Sequence, residues 1–371
     1  MSDTIKIDAA AFAADMAWIA KGVRRAVVPI LGTAQVRVTG AGLSVRHTDF
    51  DSFREVIVAS GDGFDSELAV QVNPFALAGL LKGCKGDSAV TVTADSVSVG
   101  VGSRTLNVPK AGEVADFPEW PVFEPWEVPV VLDVATIKRG LTSVSTDDTL
   151  PILTHVYFHA GTMVSTDRFR LSVIRFGDNS FTALVPGAVL KLFTVGIKSD
   201  VSVEYGKLAS MANPAVHEMR VRVSAGGRSV VQRVGDHDFP QYQRLVDLAA
   251  ENVQVVGEVN KAELLAAMGN VGQEDSVQLE WREDGTMLVQ MRHGRDGDVL
   301  AEDTISVTGV ADAGVVWPFV ARYHGVYLVS ILKGIAAESV LLSARDAAHP
   351  MAVKGSDNND YHLLTTIRIP G

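Results

Sequence analysis

The hexapeptide ADFPEW occupies residues 115–120, and HDFPQY occupies residues 237–242. Each contains Asp-Phe-Pro followed, two residues later, by an aromatic residue, and the two copies lie 122 residues apart (237 minus 115). A recurrence at this distance is typical of tandem homologous domains, because solenoid repeats are much shorter. Whether the chain is built from such domains depends on whether other segments recur with a similar spacing.

Other segments do recur with this spacing. VPIL at 28–31 returns as LPIL at 150–153, and each is followed by an alternating apolar run and then by Thr-Asp, at 48–49 and 166–167. Three strand-like segments end in a helix-capping residue: Asp8, Asp133 and Asn260. Each candidate cap precedes an amphipathic stretch, which predicts a helix. Second helices are predicted over 73–83, 185–196 and 323–335.

Between the predicted helices the apolar residues alternate, which is typical of strands. Residues 219–234 read as a hairpin with a turn at Gly226-Gly227, and residues 89–103 have the same character. The chain is therefore predicted to be an α+β protein of three tandem homologous domains, each with two helices packed on antiparallel sheets. The predicted boundaries are 1–126, 127–250 and 251–371.

Composition narrows the possible functions. The net charge is −11, from 33 basic and 44 acidic residues, so tight binding of nucleic acid over the whole surface is not expected. No apolar run reaches the length of a membrane span, and no secretory signal is recognised at the N-terminus. The single cysteine, Cys84, is interpreted as a plain thiol in a reducing compartment. We expect a cytoplasmic protein with no membrane partner.

Four segments carry a resemblance to a known family: DDTLPILTHVYF (147–158), STDRFRLSV (165–173), DFPQYQRL (238–245) and YHLLTTIRIPG (361–371). Together they resemble the bacterial DNA polymerase III beta subunit, the sliding clamp, and the resemblance extends over essentially the whole chain. It implies a DNA polymerase processivity factor in which two chains join head to tail, through edge strands, into a ring around double-stranded DNA. The ring would hold DNA topologically and independently of sequence, with no catalytic site, cofactor or metal.

The resemblance also implies the partners and their site. A clamp tethers a replicative DNA polymerase, a clamp loader and other proteins that carry clamp-binding peptide motifs, through an apolar pocket between domains 2 and 3. Carried over position by position, the pocket residues are Leu153, Thr166, Arg168, Phe169, Arg170, Leu171, Pro240, Arg244, Leu245, His324, Tyr327, Ser339, Leu363, Leu364, Thr365, Thr366, Ile367 and Arg368.

The sequence departs from the family pattern in three places within this set. Thr365-Thr366 stands where Met-Pro is usual, His324 replaces an asparagine, and Arg168 replaces the glycine of many clamps. We therefore expect the partner peptide to differ in sequence or affinity, as in a divergent or phage-borne member of the family.

A ring with an acidic exterior would need only a few basic residues on its inner helices to face DNA. The candidates are Lys21, Arg24, Arg25, Lys138, Arg139, Lys191, Lys198, Lys261, Arg322 and Lys333. Each could equally be an ordinary solvated charge on a helix surface.

Two alternatives remain open at this stage. Asp236-His237-Asp238 could be read as part of a metal site and Gly100-x-Gly102 as a phosphate loop, but a polar turn and a hairpin are the simpler interpretations. An enzyme is therefore disfavoured. The second alternative is a clamp paralogue that acts as a non-replicative or decoy peptide-binding scaffold, whose expected sign would be damaged ring edges.

Overall fold

The structure is a computed structural model, and it describes residues 3–23, 28–60, 67–126, 128–209, 217–234, 238–294, 297–311, 315–357 and 360–368. The helices within these ranges are α1 (Ala9–Ala20), α2 (Pro74–Leu81), α3 (Val134–Gly140), α4 (Gly187–Leu192), α5 (Tyr242–Ala250), α6 (Lys261–Met268) and α7 (Gly325–Gly334). Short 3-10 helices occupy Pro29–Gly32, Val114–Asp116 and Pro151–Thr154. No helix in these ranges is both long and apolar enough to cross a membrane.

The strands are short and numerous. In chain order they are β1 (Asp3–Asp8), β2 (Ala34–Thr39), β3 (Gly42–Thr48), β4 (Ser52–Ser60), β5 (Leu68–Val72), β6 (Asp87–Val92), β7 (Ser96–Val101), β8 (Arg104–Pro109), β9 (Phe123–Pro125), β10 (Val130–Leu132), β11 (His155–His159), β12 (Thr162–Thr166), β13 (Arg170–Arg175), β14 (Ala183–Pro186), β15 (Val201–Ala209), β16 (His217–Ala225), β17 (Arg228–Arg233), β18 (Val255–Asn260), β19 (Ser276–Trp281), β20 (Thr286–Arg292), β21 (Val299–Ser306), β22 (Thr308–Ala311), β23 (Phe319–His324), β24 (Ser339–Ala344), β25 (Met351–Gly355) and β26 (Asp360–Leu364). The predicted α+β class is confirmed.

The chain folds into two compact units. The first comprises residues 1–134 and 195–234, and the second comprises residues 135–194 and 235–371. The predicted central domain, 127–250, contributes residues to both units. A strand leads directly into a helix at β1–α1, β10–α3 and β18–α6, as the repeat would require. The three-domain boundaries themselves stay a prediction.

The first unit holds two sheets and the helices α1 and α2. One sheet has four strands in the order β1-β6-β7-β8, which leaves β8 at an edge. The larger sheet runs β10-β15-β16-β17-β4-β3-β2-β5, and the β17–β4 ladder places Arg228 opposite Val56. Helix α1 buries Phe12, Met16 and Ile19 completely, so its predicted apolar face is confirmed.

The second unit repeats this division into a large and a small sheet. The large sheet runs β14-β11-β12-β13-β26-β25-β24-β18-β22, and the small one runs β21-β20-β19-β23. In the small sheet β21 is an edge strand. Helices α6 and α7 pack on a core that contains Leu264, Leu328 and Ile331, all fully buried.

The helix starts follow the predicted caps closely. The Asp8 carboxylate accepts a hydrogen bond from the Ala11 amide at 2.7 Å, and the Asn260 side chain accepts one from the Glu263 amide at 3.0 Å. These bonds satisfy first-turn amides that have no partner inside the helix. Helix α3 begins directly after Asp133. Helix α4 is shorter than predicted, since Pro186 ends β14 and the helix begins at Gly187.

The predicted hairpins are also confirmed. Strands β16 and β17 pair antiparallel around Gly226-Gly227, both with positive φ, 58° and 78°. The G-x-G at 100–102 lies in the β7–β8 hairpin, with Gly100 in strand β7 and Gly102, φ 59°, in the turn. This places it in a hairpin rather than at a strand-to-helix turn that could hold phosphate. Asp236 and His237 lie outside the described residues.

A buried polar chain links the turn after helix α3 to the large sheet of the second unit. Hydroxyl oxygens of Ser143 and Ser172 lie 2.6 Å apart, and Ser172 Oγ lies 2.8 Å from Nδ1 of His362. All three residues are fully buried. Burial, assisted by the guanidinium groups of Arg139 and Arg170, lowers the pKa of His362 from its ordinary value to about 3. The imidazole is therefore neutral in the folded protein at any moderate pH.

This burial predicts acid sensitivity. In the unfolded chain His362 takes up a proton near pH 6.5, whereas in the fold it stays neutral down to about pH 3. Because the unfolded state binds more protons in this window, the free energy of unfolding should fall as the pH decreases from 6.5, by up to about 1.4 kcal/mol per pH unit. Urea unfolding at a series of pH values measures the slope. His362→Gln, less stable at pH 7, should show a shallower slope, and an equal slope in both proteins would contradict the assignment.

Candidate functional site

The second unit contains an apolar cavity of about 290 Å³ that is open to solvent. It is built from four pieces of chain: the loop between β12 and β13, the end of β26, helix α5, and the loop between β24 and β25. Its lining residues are Thr166, Arg168, Phe169, Arg170, Leu171, Leu245, Leu248, Ala249, Arg345, His349, Pro350, Leu363 and Thr365. A cavity of this size and character suits a few apolar side chains of a ligand.

The β12–β13 loop explains the Thr-Asp-x-x-Arg pattern. The Asp167 carboxylate accepts hydrogen bonds from the amides of Phe169 and Arg170, at 3.0 and 2.9 Å, and binds Nε of Arg170 at 2.8 Å. Thr166 Oγ1 donates to the Arg170 carbonyl at 2.8 Å and accepts from the Arg168 amide at 3.2 Å. Asp and Thr side chains thus replace backbone partners in a tight turn. The turn presents Phe169, which is 50% exposed, at the cavity.

Helix α7 contributes an aromatic stack beside this loop. The ring of Tyr327 is stacked with those of Phe169, at 6.1 Å between centroids, and His324, at 4.4 Å. The Arg170 guanidinium carbon lies 4.4 Å from the Tyr327 centroid, within the range of a cation–π interaction. Burial and the charge of Arg170 lower the pKa of His324. The stack therefore holds Phe169 and Arg170, which form one wall of the cavity, against helix α7.

The C-terminal strand forms the adjoining wall. In the β13–β26 ladder Leu171 lies opposite Leu363, and the Thr365 amide donates to the Phe169 carbonyl at 2.9 Å. Leu363 belongs to the apolar cluster beneath the cavity, whereas Leu364 is fully buried in the core on the other face of the sheet. Successive strand residues point to opposite faces, so only one of the two leucines can reach the cavity.

Helix α5 provides the third wall. One side packs onto the sheet cluster of Val164, Leu171, Ala352 and Leu363, and the residues on that side are Tyr242, Val246 and Ala249. The Tyr242 hydroxyl also lies 3.2 Å from Nδ1 of His159. The other side leaves Leu245 and Leu248 51% and 45% exposed at the cavity. Exposed leucines beside a cavity are the groups that a ligand would cover.

The structure sorts the eighteen predicted pocket residues. Eight line the cavity: Thr166, Arg168, Phe169, Arg170, Leu171, Leu245, Leu363 and Thr365. His324 and Tyr327 support it through the aromatic stack. Thr366 forms a β-bridge with Tyr323, and the Ile367 amide donates to the Arg322 carbonyl at 2.7 Å. Pro240, Arg244 and Arg368 are exposed and do not line the cavity.

Three further predicted pocket residues do not line this cavity, and their role in a pocket stays a prediction. Leu153 is 5% exposed in the 3-10 helix before β11 and does not line the cavity. Ser339 donates its hydroxyl hydrogen to Glu258, a diagonal neighbour on the adjacent strand β18. Leu364 is buried in the core on the opposite face of the sheet from Leu363. Leu153 and Leu364 are buried and Ser339 binds Glu258, so none of the three is among the residues that line the cavity.

Five lining residues were missed: Leu248, Ala249, Arg345, His349 and Pro350. The first two lie on α5, a helix that the apolar spacing at 242, 245, 246 and 249 could have predicted. The other three lie in an irregular loop, where Asp346 accepts from the amides of Ala348 and His349. No periodic signal marks such a loop.

The candidate DNA-facing residues also separate into groups. Exposed candidates are Lys21, Lys138, Lys191, Lys198 and Lys333, while Arg24 and Arg25 lie outside the described residues. Arg322 is a correction: it is 6% exposed on β23 and donates to Gln278 at 2.8 Å, so it cannot face DNA. Arg139 binds the buried Asp360 at 2.8 Å, and Lys261 donates to the Ile335 carbonyl at 2.7 Å, so both have structural partners.

The comparisons with known proteins identify the class of fold. The structure matches solved sliding clamps over its full length: the DnaN sliding clamp of Bartonella birtlesii bound to griselimycin (TM-score 0.78, 19% identity, 100% of both chains) and that of Pseudomonas aeruginosa bound to griselimycin (TM-score 0.79, 17% identity, 99% of both). The chain therefore has the DNA-clamp fold.

Sequence comparison agrees with the fold. The beta sliding clamp of Streptococcus pneumoniae TIGR4 is 23% identical over 259 residues, which cover 65% of this chain, and the alignment spans 64% of the length of that relative. The same figures hold for the clamp of strain R6. No family model matches the chain. The predicted resemblance to the bacterial sliding-clamp family is confirmed in both sequence and fold.

The cavity walls differ in how much they contribute to folding, and this can be measured. Leu171 is 3% exposed, so Leu171→Ala should lower the free energy of unfolding by roughly 2–5 kcal/mol, whereas Leu245→Ala, on the open side of α5, should change it by about 0.5 kcal/mol or less. Chemical denaturation of both variants tests this. Equal losses of unfolding free energy in the two variants would show that Leu245 contributes more to folding than its exposed fraction indicates.

Proposed function

We propose that the chain is a DNA polymerase processivity factor: a homodimeric ring that encircles duplex DNA and tethers polymerase, clamp loader and other partners. The observation that carries the proposal is the full-length clamp fold together with an apolar cavity built on the Thr-Asp-x-x-Arg-Leu loop. The cavity would bind a short peptide segment of each partner, and the protein would act as an accessory without its own catalytic site. The described residues hold no group of three or more His, Cys, Asp or Glu suited to a metal ion.

The edge strands support a head-to-tail dimer. In β8, at one edge of the first unit, Arg104, Thr105 and Asn107 are exposed and Leu106 is partly exposed. In β21, at one edge of the second unit, the exposed residues run from apolar Val299, Leu300 and Ala301 to acidic Glu302 and Asp303. Unpaired strand edges of opposite charge can form a continuous sheet between two copies, and a heterologous contact of this kind closes into a ring.

The charge distribution supports a topological hold on DNA. The exposed lysines lie on or beside helices: Lys21 after α1, Lys138 on α3, Lys191 on α4 and Lys333 on α7. The chain is nevertheless strongly acidic overall. A ring needs little affinity for DNA, and an acidic exterior would keep it from binding phosphate elsewhere. Such a ring would work wherever the polymerase does, which we take to be the cytoplasm.

The alternative, a non-replicative scaffold, predicts damaged ring edges. Instead, β8 pairs with β7 along all six of its residues, from Arg104 opposite Val101 to Pro109 opposite Ser96. Strand β21 pairs with β20 along its length, with one irregularity at Met291–Arg292. Both candidate edge strands are paired with their inner neighbours along nearly their whole length, which favours the ring.

Griselimycin provides a probe for the pocket, because two of the matching clamps were solved with it bound. We expect it to bind this chain, and Leu245→Ser or Leu248→Ser to weaken binding about tenfold or more, since each removes exposed apolar surface from the cavity. Isothermal titration calorimetry measures the affinity. The matched control is Val316→Ser, which changes a valine that is 83% exposed and does not line the cavity. Wild-type affinity in both leucine variants would rule out this cavity as the site.

A further inference from the structure

Several basic residues line the cavity, although the protein as a whole is acidic. Three arginines and a histidine are among its thirteen lining residues, namely Arg168, Arg170, Arg345 and His349, and the lining contains no Asp or Glu. The whole chain carries a net charge of −11. A local positive field of this kind attracts a ligand that carries negative charge as well as apolar groups.

Most of this positive charge is already engaged inside the protein. The Arg170 side chain is 13% exposed, binds Asp167 at 2.8 Å and lies over the Tyr327 ring. Arg345 lies 3.8 Å from Asp346, and the same carboxylate is 2.7 Å from Nδ1 of His349. The charge of Arg170 is therefore closely paired, whereas that of Arg345 is paired more loosely and its side chain is 34% exposed, against 60% for Arg168.

Arg168 is different. Its side chain is 60% exposed, and its nearest carboxylate, that of Asp147, is 4.0 Å away and itself 47% exposed. An ion pair at that distance between two exposed side chains is weak and easily exchanged. The Arg168 guanidinium is therefore the cation at the cavity that a ligand could bind at the smallest cost.

The backbone conformation of Arg168 also indicates a function for its side chain. Its φ is 79°, in the left-handed region that favours glycine, and the loop is fixed there by the hydrogen bonds of Thr166 and Asp167. Glycine would adopt this conformation without strain. An arginine in a conformation better suited to glycine indicates that its side chain has a function.

We propose that Arg168 determines peptide specificity by binding the carboxylate of an aspartate or glutamate in a partner peptide whose apolar residues fill the cavity. The proposal rests on the peptide-binding function proposed above. A guanidinium can hold a carboxylate through two parallel hydrogen bonds, which adds geometric selectivity to the charge attraction. The preferred partners would then carry an acidic residue beside their apolar anchors.

The test uses the full-length protein and capped pentapeptides of the form Xaa-Leu-Leu-Phe-Xaa. One Xaa is Asp and the other Ala, and each peptide is paired with a neutral counterpart in which Asn replaces Asp. At low salt the wild-type protein should bind one of the Asp peptides about tenfold more tightly than its Asn counterpart, by calorimetry. Arg168→Gln should reduce that ratio to about one. The matched control, Arg175→Gln, changes an arginine that is 64% exposed and outside the cavity, and should keep the ratio.

A second variant separates binding from folding. Arg168→Gly removes the side chain but suits the backbone, so the melting temperature should rise while the Asp preference disappears. A purely structural arginine would instead give a lower melting temperature and an unchanged preference.

Several outcomes would overturn the inference. The first is that the wild-type protein binds each Asp peptide and its Asn counterpart with equal affinity. The second is that the preference for Asp persists in Arg168→Gln. The third is that the preference is lost in Arg345→Gln rather than in Arg168→Gln. If no peptide binds the wild-type protein, the inference also fails, and griselimycin binding then decides separately whether the cavity is a binding site. If the Asn peptides bind but the Asp preference is absent, the peptide-binding function survives without the role of Arg168.

Discussion

The candidate site depends on the antiparallel ladder between β13 and β26. This ladder pairs Leu171 with Leu363, residues 192 positions apart in the chain (363 minus 171), and it extends the large sheet of the second unit. Closing so long a loop has an entropy cost that must be offset by burial on both faces of the sheet. One face carries the cluster beneath the cavity and the other carries the core that contains Leu364. The cavity walls exist because these two distant segments are neighbours.

Side-chain hydrogen bonds and aromatic packing shape the site that this ladder supports. The Asp167 carboxylate and Thr166 hydroxyl close the turn that presents Phe169, and Tyr327 packs against that ring from α7. Helix α5 adds apolar surface that its own packing leaves exposed. The resulting site combines an apolar floor with a basic rim. Because the protein as a whole is acidic, the basic rim distinguishes the cavity from its surroundings, as the proposed binding of acidic peptides requires.

Features encoded by short stretches of sequence could be predicted, and features created by distant pairing could not. The caps at Asp8 and Asn260 and the hairpin at Gly226-Gly227 depend on neighbouring residues, and the structure has them where the pattern predicts. The residue type predicts an exposed charge at Arg322, whereas the β19–β23 ladder buries it opposite Gln278. The wall formed by Arg345, His349 and Pro350 has no periodicity and becomes visible only when β24, β25 and β26 are assembled.

The central claim is that two copies form a closed ring, and sedimentation equilibrium of the purified chain tests it most directly. The range should extend from micromolar down to nanomolar concentration. If the regular edges of β8 and β21 pair between copies, the protein should remain a dimer throughout, as a ring that stays on DNA requires. A monomer across the whole range would contradict the ring, leaving a clamp-fold scaffold that binds peptides without encircling DNA.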